Sequence, residues 1–385
     1  MNQLLETIAN WLADYYLLST VLLALSFAVL SLTRQPARRR ALAQSATAGL
    51  FLLAALCAMP GWSMVSLLTH RPTTSSPQAS HESHELQSAD DAPVVDGVLP
   101  NNAGASHIMP TVSTSKHAAA TPASSDASRQ FPWPALVALA WSGGALAIVM
   151  WLAIGSFAAS RLRREAQPAS SDLVELMKRL STLNMHVRCR VELLVSNRID
   201  VAVAQGIFRP AVLLPAKWAN EFPLPFREGP GEGSDSLPSD LRTILTHELA
   251  HIENRDLHWL AAMRALLTLL WAQPLYWLLR RRLRLDQEAL ADAAAAEVTS
   301  RQSYAEQLVA WARDIAARPA IRLTPAVGLW ECPSQLRQRI ALLIDERFTV
   351  LRSCSRRWQL AAVAVCSALA VALSLVTFAP AQPKD

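Results

Sequence analysis

Four uncharged apolar stretches constrain this chain more than any other feature, because each is long enough to cross a bilayer as a helix, which takes roughly 20 residues. They run near Tyr15 to Leu32, Ala46 to Leu68, Ala135 to Ser160 and Trp358 to Ala379. In hydrocarbon every backbone polar group must find its partner within the protein, so helices are the expected form. Composition agrees, with 51% of the 385 residues hydrophobic and 17% charged. The first stretch reads as an anchor and not as a cleaved signal peptide. It has no basic leading region, and arginines follow it where a small-residue cleavage site would stand.

Arginine placement predicts the orientation, since basic residues favour the cytoplasmic ends of spans. Arg34, Arg38, Arg39 and Arg40 are expected in a loop between the first two spans. Arg161, Arg163 and Arg164 close the third, and Arg352, Arg356 and Arg357 precede the fourth. Both termini are then expected outside, with the first loop and the 165–357 region in the cytoplasm. The net charge of +5 reads as topology-setting arginine. No basic stripe interleaved with aromatics suggests direct nucleic-acid binding. The five cysteines include no C-x-x-C pair and none lies in the expected external loop, so no disulfide framework is implied.

The expected organisation is two spans in 1–69, an external loop in 70–130, a third span in 131–164, a cytoplasmic domain in 165–350 and the fourth span in 351–385. The 70–130 segment is rich in Ser, Thr, Ala, Pro and His and lacks a branched apolar pattern, so it is expected to be disordered. Its His81-Glu82-Ser83-His84-Glu85 reads as a solvated linker in preference to a weak metal-binding tract.

Chemistry concentrates in His247-Glu248-Leu249-Ala250-His251. On a helix, residues four apart share a face, so both imidazoles can converge on one metal ion. Glu248 is then placed to act as general base on an attacking water. A catalytic zinc takes three protein ligands and keeps a position open. Glu288, in Glu288-Ala289-Leu290-Ala291-Asp292, is the candidate third ligand, and Asp292 is one turn further on, where it can accept the free ring N–H of a ligand histidine. The plain alternative is a solvated helix face following Arg280, Arg281, Arg282 and Arg284.

Around this motif, 172–183 reads as an amphipathic helix with Leu173, Leu176, Met177 and Leu180 on one stripe. Val187 to Val195, Val201 to Ala204 and Ala211 to Leu214 read as strands, and an open edge in 201–214 could hold a substrate chain or serve only sheet packing. Residues 222–240 read as a surface loop. The motif helix is expected to start near Ser239 or Asp240 and to bury Leu241, Leu245, Leu249 and Ile252. Two more amphipathic helices are expected near Ser303 to Ala316 and Pro333 to Asp345. The apolar run 257–279 is the critical test, because a single crossing there would put His251 and Glu288 on opposite sides of the membrane. Pro274 and Arg264 predict instead two membrane-associated or re-entrant helices that return to the starting face.

These residues together resemble the integral-membrane zinc metallopeptidases of the bacterial beta-lactam sensor-transducer (BlaR/MecR antirepressor) family. The resemblance rests on Gly206-Ile207-Phe208-Arg209-Pro210 with Val212-Leu213-Leu214-Pro215, the histidine motif with Arg255-Asp256, Gln273-Pro274-Leu275-Tyr276-Trp277, Glu288 with Asp292, Tyr304-Ala305 and Arg339-Ile340. It implies an α-helical membrane protein with four spans and a cytoplasmic α+β zincin-like metallopeptidase domain. It also implies one zinc held by His247, His251 and Glu288, with Glu248 as catalytic base. The implied activity is regulatory proteolysis in signal transduction, with a cytoplasmic transcriptional repressor as protein substrate and possible self-cleavage. Sensor members carry an external penicillin-binding domain after the last span, with a serine nucleophile in S-x-x-K. This sequence stops six residues past its fourth apolar stretch, so the signal is expected from the 70–130 loop or from a separate external partner. Ala291 stands where the family typically has cysteine. Two other readings stay open: a membrane quality-control or processing protease, and a non-catalytic signalling scaffold that keeps zinc for structure. A group that stabilises the oxyanion is needed; His258 and Arg255 are near in sequence, but a structural role fits both equally and the sequence selects neither.

Overall fold

Proline decides where the long helices begin. In the computed structural model, which describes residues 2–59, 65–66, 133–183, 185, 187, 189–221, 239–316, 333–345 and 347–377, α1 (Asn2–Leu32) and α2 (Pro36–Cys57) are separated by three residues. Pro36 occupies the start of α2, where its missing N–H is no loss. Pro60 lies just past its end and disfavours helical geometry in the residue before it. The second apolar helix is therefore shifted toward the N-terminus of the expected Ala46 to Leu68. Arg38, Arg39 and Arg40 belong to the first turns of α2 and not to a loop.

The chain continues through β1 (Val65–Ser66), α3 (Trp133–Glu165), β2 (Gln167–Pro168), α4 (Ser171–Leu183), β3 (Glu192–Ser196), β4 (Val203–Gln205) and β5 (Ala211–Pro215). Then follow α5 (Ala216–Glu221), α6 (Ser239–Glu253), α7 (Asp256–Leu269), α8 (Pro274–Ala296), α9 (Arg301–Ala316), α10 (Pro333–Ile344), α11 (Arg356–Ser374) and β6 (Val376–Thr377). The expected loops at 70–130 and 222–238 lie outside the described residues. The fourth apolar helix ends at Ser374, short of Ala379, because Val376 and Thr377 pair in parallel with Val65 and Ser66. β3 starts at Glu192, later than the expected Val187.

Among the described residues, four helices are long and apolar enough to cross a membrane: Thr7–Leu32 within α1, α2, Ala135–Glu165 within α3, and α11. Leu22 of α1, Leu50 and Leu53 of α2, and Cys366 and Ala370 of α11 share one buried cluster with Leu266 and Leu267 of α7 and Tyr276 and Leu279 of α8. Association of apolar helices depends on close packing and small residues. Gly49 shows why: a Cβ there would sit 3.3 Å from the Cys366 carbonyl oxygen of α11. Buried hydroxyls turn back on their own helix, as when Ser45 donates to Ala41 O at 2.9 Å and Thr47 to Ala43 O at 2.7 Å.

α7 and α8 meet at a break between Leu269 and Pro274. The 14 residues of α7 rise about 21 Å at 1.5 Å per residue, less than a hydrocarbon core of about 30 Å. The break docks against the middle of α1. Tyr16 Oη donates to Leu269 O at 2.8 Å, Gln273 Nε2 donates to Thr20 Oγ1 at 2.8 Å, and Trp141 Nε1 of α3 donates to Tyr16 Oη at 3.0 Å. Trp271 lies against Gly144 of α3, where a Cβ would run into its ring. Trp277 Nε1 donates to Trp271 O at 2.7 Å, so carbonyls freed by the break find partners.

A second core lies under the site. The sheet runs β2-β3-β5-β4, with β3 and β5 parallel and the other pairings antiparallel. Val212 and Leu214 of the central strand β5 pack with Leu173, Leu176, Met177 and Leu180 of α4 and with Leu241, Leu245, Leu249 and Ile252 of α6. Ala291 and Ala294 bring α8 onto the same cluster. Alanines on α8 let it approach α6 closely, and that approach places Glu288.

Candidate metal centre

His247 and His251 lie one turn apart on α6, with Nε2 atoms 3.2 Å from each other. Glu288 comes from α8: its Oε2 is 3.4 Å from His247 Nε2 and its Oε1 is 3.7 Å from His251 Nε2. Ligand atoms held about 2.0–2.1 Å from a tetrahedral ion stand about 3.4 Å apart, which is the spacing of these three. The break between α7 and α8 therefore lets α8 bring Glu288 back to α6, and the three expected ligands form one group able to hold a metal ion.

The other ring nitrogens show that the group fits a cation. His251 Nδ1 faces Asp256 Oδ2 at 2.9 Å. His247 Nδ1 faces Tyr304 Oη at 3.1 Å and Asp292 Oδ1 at 3.3 Å. Tyr304 donates its own proton to Asp292 Oδ1 at 2.9 Å, which leaves the phenol oxygen to accept from His247. With both Nδ1–H groups spent on acceptors, each Nε2 is the nitrogen left to hold a proton or a metal ion, and a carboxylate points at the same spot. Such a cluster repels itself unless a positive ion sits among its members.

The electrostatics say the same. Burial works against a protonated His247, but hydrogen bonds and charge from Asp292 and Glu288 outweigh it and raise its pKa to about 10. Burial likewise opposes protonated His251, and Glu288 and Asp256 raise its pKa despite repulsion from His247. Burial alone would raise the Glu288 pKa. Arg339 and the two histidines reverse that and hold it well below the ordinary carboxylate range.

Arg339 of α10 joins the two carboxylates of α8. Its Nε and Nη2 donate to Asp292 Oδ2 and Oδ1 at 2.7 and 2.6 Å, and its Nη1 lies 3.2 Å from Glu288 Oε2. Asp292, Tyr304 and Arg339 are all buried. Their residues are visible in the sequence, but only Asp292 has a spacing that suggests a task. Tyr304 and Arg339 reach the site through helix packing, and no local pattern announces that.

Asp256 gains its place from an unusual turn. Arg255 is the non-glycine residue with left-handed backbone geometry among the described residues, at φ 56°. That costs about 1–3 kcal/mol for a side-chain-bearing residue. It turns the chain sharply between α6 and α7, which brings Asp256 back under His251. Arg255 and His258 are both exposed, and neither belongs to the ligand cluster.

Glu248 is nearly buried beside the sheet. Its Oε2 accepts from the Ala204 N–H of β4 at 2.6 Å. β4 is an edge strand, paired with β5 alone, so this N–H belongs to its free side. The carboxylate next to the metal centre thus lies along an open strand edge.

A four-helix apolar assembly carrying a His-His-Glu centre between two helices defines a class of membrane-associated metallopeptidases. The family model described as BlaR1 peptidase M56 matches residues 19–343, from within α1 to the end of α10. The chain belongs to that family. No curated protein sequence matches it significantly.

Proposed function

We propose that this protein is a membrane-bound zinc-dependent endopeptidase of regulatory proteolysis, and that its protein substrate is a cytoplasmic transcriptional repressor. The observation that carries the enzymatic reading is the meeting of three donors at tetrahedral spacing with Glu248 on the free edge of β4. Two imidazoles and one carboxylate without thiolate suit zinc with an open position. When bound there, zinc would supply Lewis-acid polarisation of the scissile carbonyl and the attacking water.

The chain's own residues do the rest. An extended substrate lies beside β4 and across the centre, while the Ala204 N–H stays on Glu248. Ala204 N–H fixes Oε2 of Glu248, which leaves Oε1 to take the proton from the attacking water and pass it to the leaving nitrogen. Asp256 and Asp292 keep His251 and His247 with Nε2 unprotonated and aimed inward. A purely structural site has no use for a carboxylate poised at an open strand edge, which argues against the scaffold reading.

The arginines closing α3 and those before and at the start of α11 support an inner-membrane orientation with both termini outside and the metal centre on the cytoplasmic face. The docking of the α7–α8 break against Tyr16 and Thr20 supports a re-entrant hairpin among the spans, in contact with lipid at its outer face. An external partner or the 70–130 segment supplies the stimulus.

Glu248→Gln tests the reading. It is expected to keep its zinc and to lose cleavage by about a hundredfold or more, and to trap substrate in the membrane. A repressor in the trap supports signalling, whereas misfolded membrane proteins would replace this reading with quality control. Undiminished proteolysis would refute the role of Glu248.

A further inference from the structure

Two adjacent arginines of α2 reach both helices that carry the metal ligands. Arg40 Nη1 donates to Asn254 Oδ1 at 2.9 Å, and its Nη2 donates to the Asn254 carbonyl and lies 3.3 Å from Asp256 Oδ1. Gln44, one turn further on α2, accepts from Arg40 Nε at 3.1 Å and from Trp259 Nε1 of α7 at 2.9 Å once its amide is turned to bring the oxygen toward these two donors. The Arg40 and Asp256 side chains are 14% and 6% exposed, so the pair is largely shielded from water and salt. The far oxygen of the same Asp256 carboxylate receives His251 Nδ1. A continuous path therefore runs from Arg40 through Asp256 to a metal-facing nitrogen.

Arg39 makes the matching contact on α8. Its Nε donates to Asp286 Oδ1 at 2.8 Å, and Asp286 is fully buried two residues before Glu288. The pair grips α6–α7 on one side of the centre and α8 on the other. Topology-setting arginines need only solvent or lipid headgroups, and these two have specific buried carboxylates instead.

The turn that Arg40 holds is one that needs holding. Arg255 sits between Asn254 and Asp256 in left-handed geometry, which a non-glycine residue keeps only where its surroundings over-determine it. Arg40 fixes the residue before it by two hydrogen bonds and the residue after it by an ion pair. Without that grip the turn can relax and withdraw Asp256 from His251.

We propose that Arg40 is a positioning residue of the metal centre: it fixes His251 through Asp256, and together with Arg39 on Asp286 it makes the strength of the centre depend on the position of α2. The inference rests on the reading of this cluster as a metal centre. α2 is long and apolar enough to cross a membrane, so a stimulus that shifts it is felt at His251 and Glu288 directly, with no need for a moving sensor domain on the metal side.

The test is zinc affinity of the full-length protein in lipid nanodiscs, measured by competition with a chromophoric chelator. The variants are Arg40→Met, Arg40→Lys, Asp256→Asn and Arg40→Lys with Asp256→Asn combined. Asp256→Asn, which alters the group directly behind the ligand histidine, is expected to weaken zinc binding about tenfold or more, and Arg40→Met to approach that loss. Arg40→Lys keeps the charge but cannot span Asn254 and Asp256 at once, so a smaller loss is expected. The combined variant should bind no more weakly than Asp256→Asn alone, because both changes cut one path. A merely structural Arg40 would lower the melting temperature of the metal-free protein and leave zinc affinity unchanged, and that result would overturn the proposal alone. Should Arg40→Met fail to fold, the Arg40→Lys and Asp256→Asn cycle decides the matter, with additive losses overturning the proposal. Wild-type protein that takes up no zinc would overturn the metal reading and this inference with it.

Discussion

His247 and His251 stand one turn apart on the same helix, yet different parts of the molecule hold them. His247 is backed by Asp292, Tyr304 and Arg339 from α8, α9 and α10, a buried network in which the carboxylate is met by a phenol and a two-pronged guanidinium. His251 is backed by Asp256 at the start of α7 and, behind it, by Arg40 from a membrane-length helix. The first support is internal to the helices around the centre. The second ties the centre to the apolar bundle. Under the proposal for Arg40, His247 is the histidine fixed within the fold and His251 the one that answers to the position of α2.

The contrast can be broken most forcibly at Asp292. Asp292→Ala leaves Arg339 buried beside Glu288 with its main partner gone, a situation that costs about 3–5 kcal/mol. Asp256→Ala removes one charge-assisted hydrogen bond near a less enclosed arginine, for about 1.5–3 kcal/mol. Thermal unfolding of the metal-free proteins checks the order. Equal losses would mean that the two histidines are held alike.

A smaller, pH-dependent effect sharpens the same comparison. In metal-free protein the His247 pKa is raised from 6.5 to about 10. The stability this contributes is fully present below pH 6.5 and is lost as pH rises through about 10. Glu288 and Asp292 are shifted downward, so their contribution is present above the ordinary carboxylate range and fades in acid. The metal-free protein is therefore expected to be most stable in mildly acidic solution and to weaken toward pH 10. Added zinc should stabilise it more at higher pH, because metal displaces the proton on His247. Melting curves with and without chelator across that range test this, and a metal-free protein growing more stable from pH 6.5 to 10 would contradict it.

What the sequence shows of this centre is what local geometry fixes. Four-residue spacing places His247 with His251, and Glu288 with Asp292, on single helix faces, and Pro274 marks the break that lets α8 return. The supports of His251 are hidden because they are not local. Asp256 depends on a left-handed Arg255 that no residue preference suggests, and Arg40 comes from the other end of the chain. Arg38, Arg39 and Arg40 look like loop residues because arginine is costly in a lipid-facing helix. Inside the protein, Asp286 and Asp256 remove that cost for Arg39 and Arg40, so α2 can start at Pro36. The same blindness displaced the second span, since an apolar window registers hydropathy but not a buried ion pair. Tyr304 and Arg339 carry a motif resemblance without a visible task, and only the packing of α9 and α10 against α8 gives them one.

The central claim is that His247, His251 and Glu288 form one metal centre across the α7–α8 hairpin. Elemental analysis of purified wild-type protein and Glu288→Ala, each normalised to protein concentration after dialysis, tests it most directly. One zinc per chain is predicted for the wild type and little or none for Glu288→Ala, with both proteins helical and folded. A folded Glu288→Ala protein that holds zinc as tightly as the wild type would contradict the account.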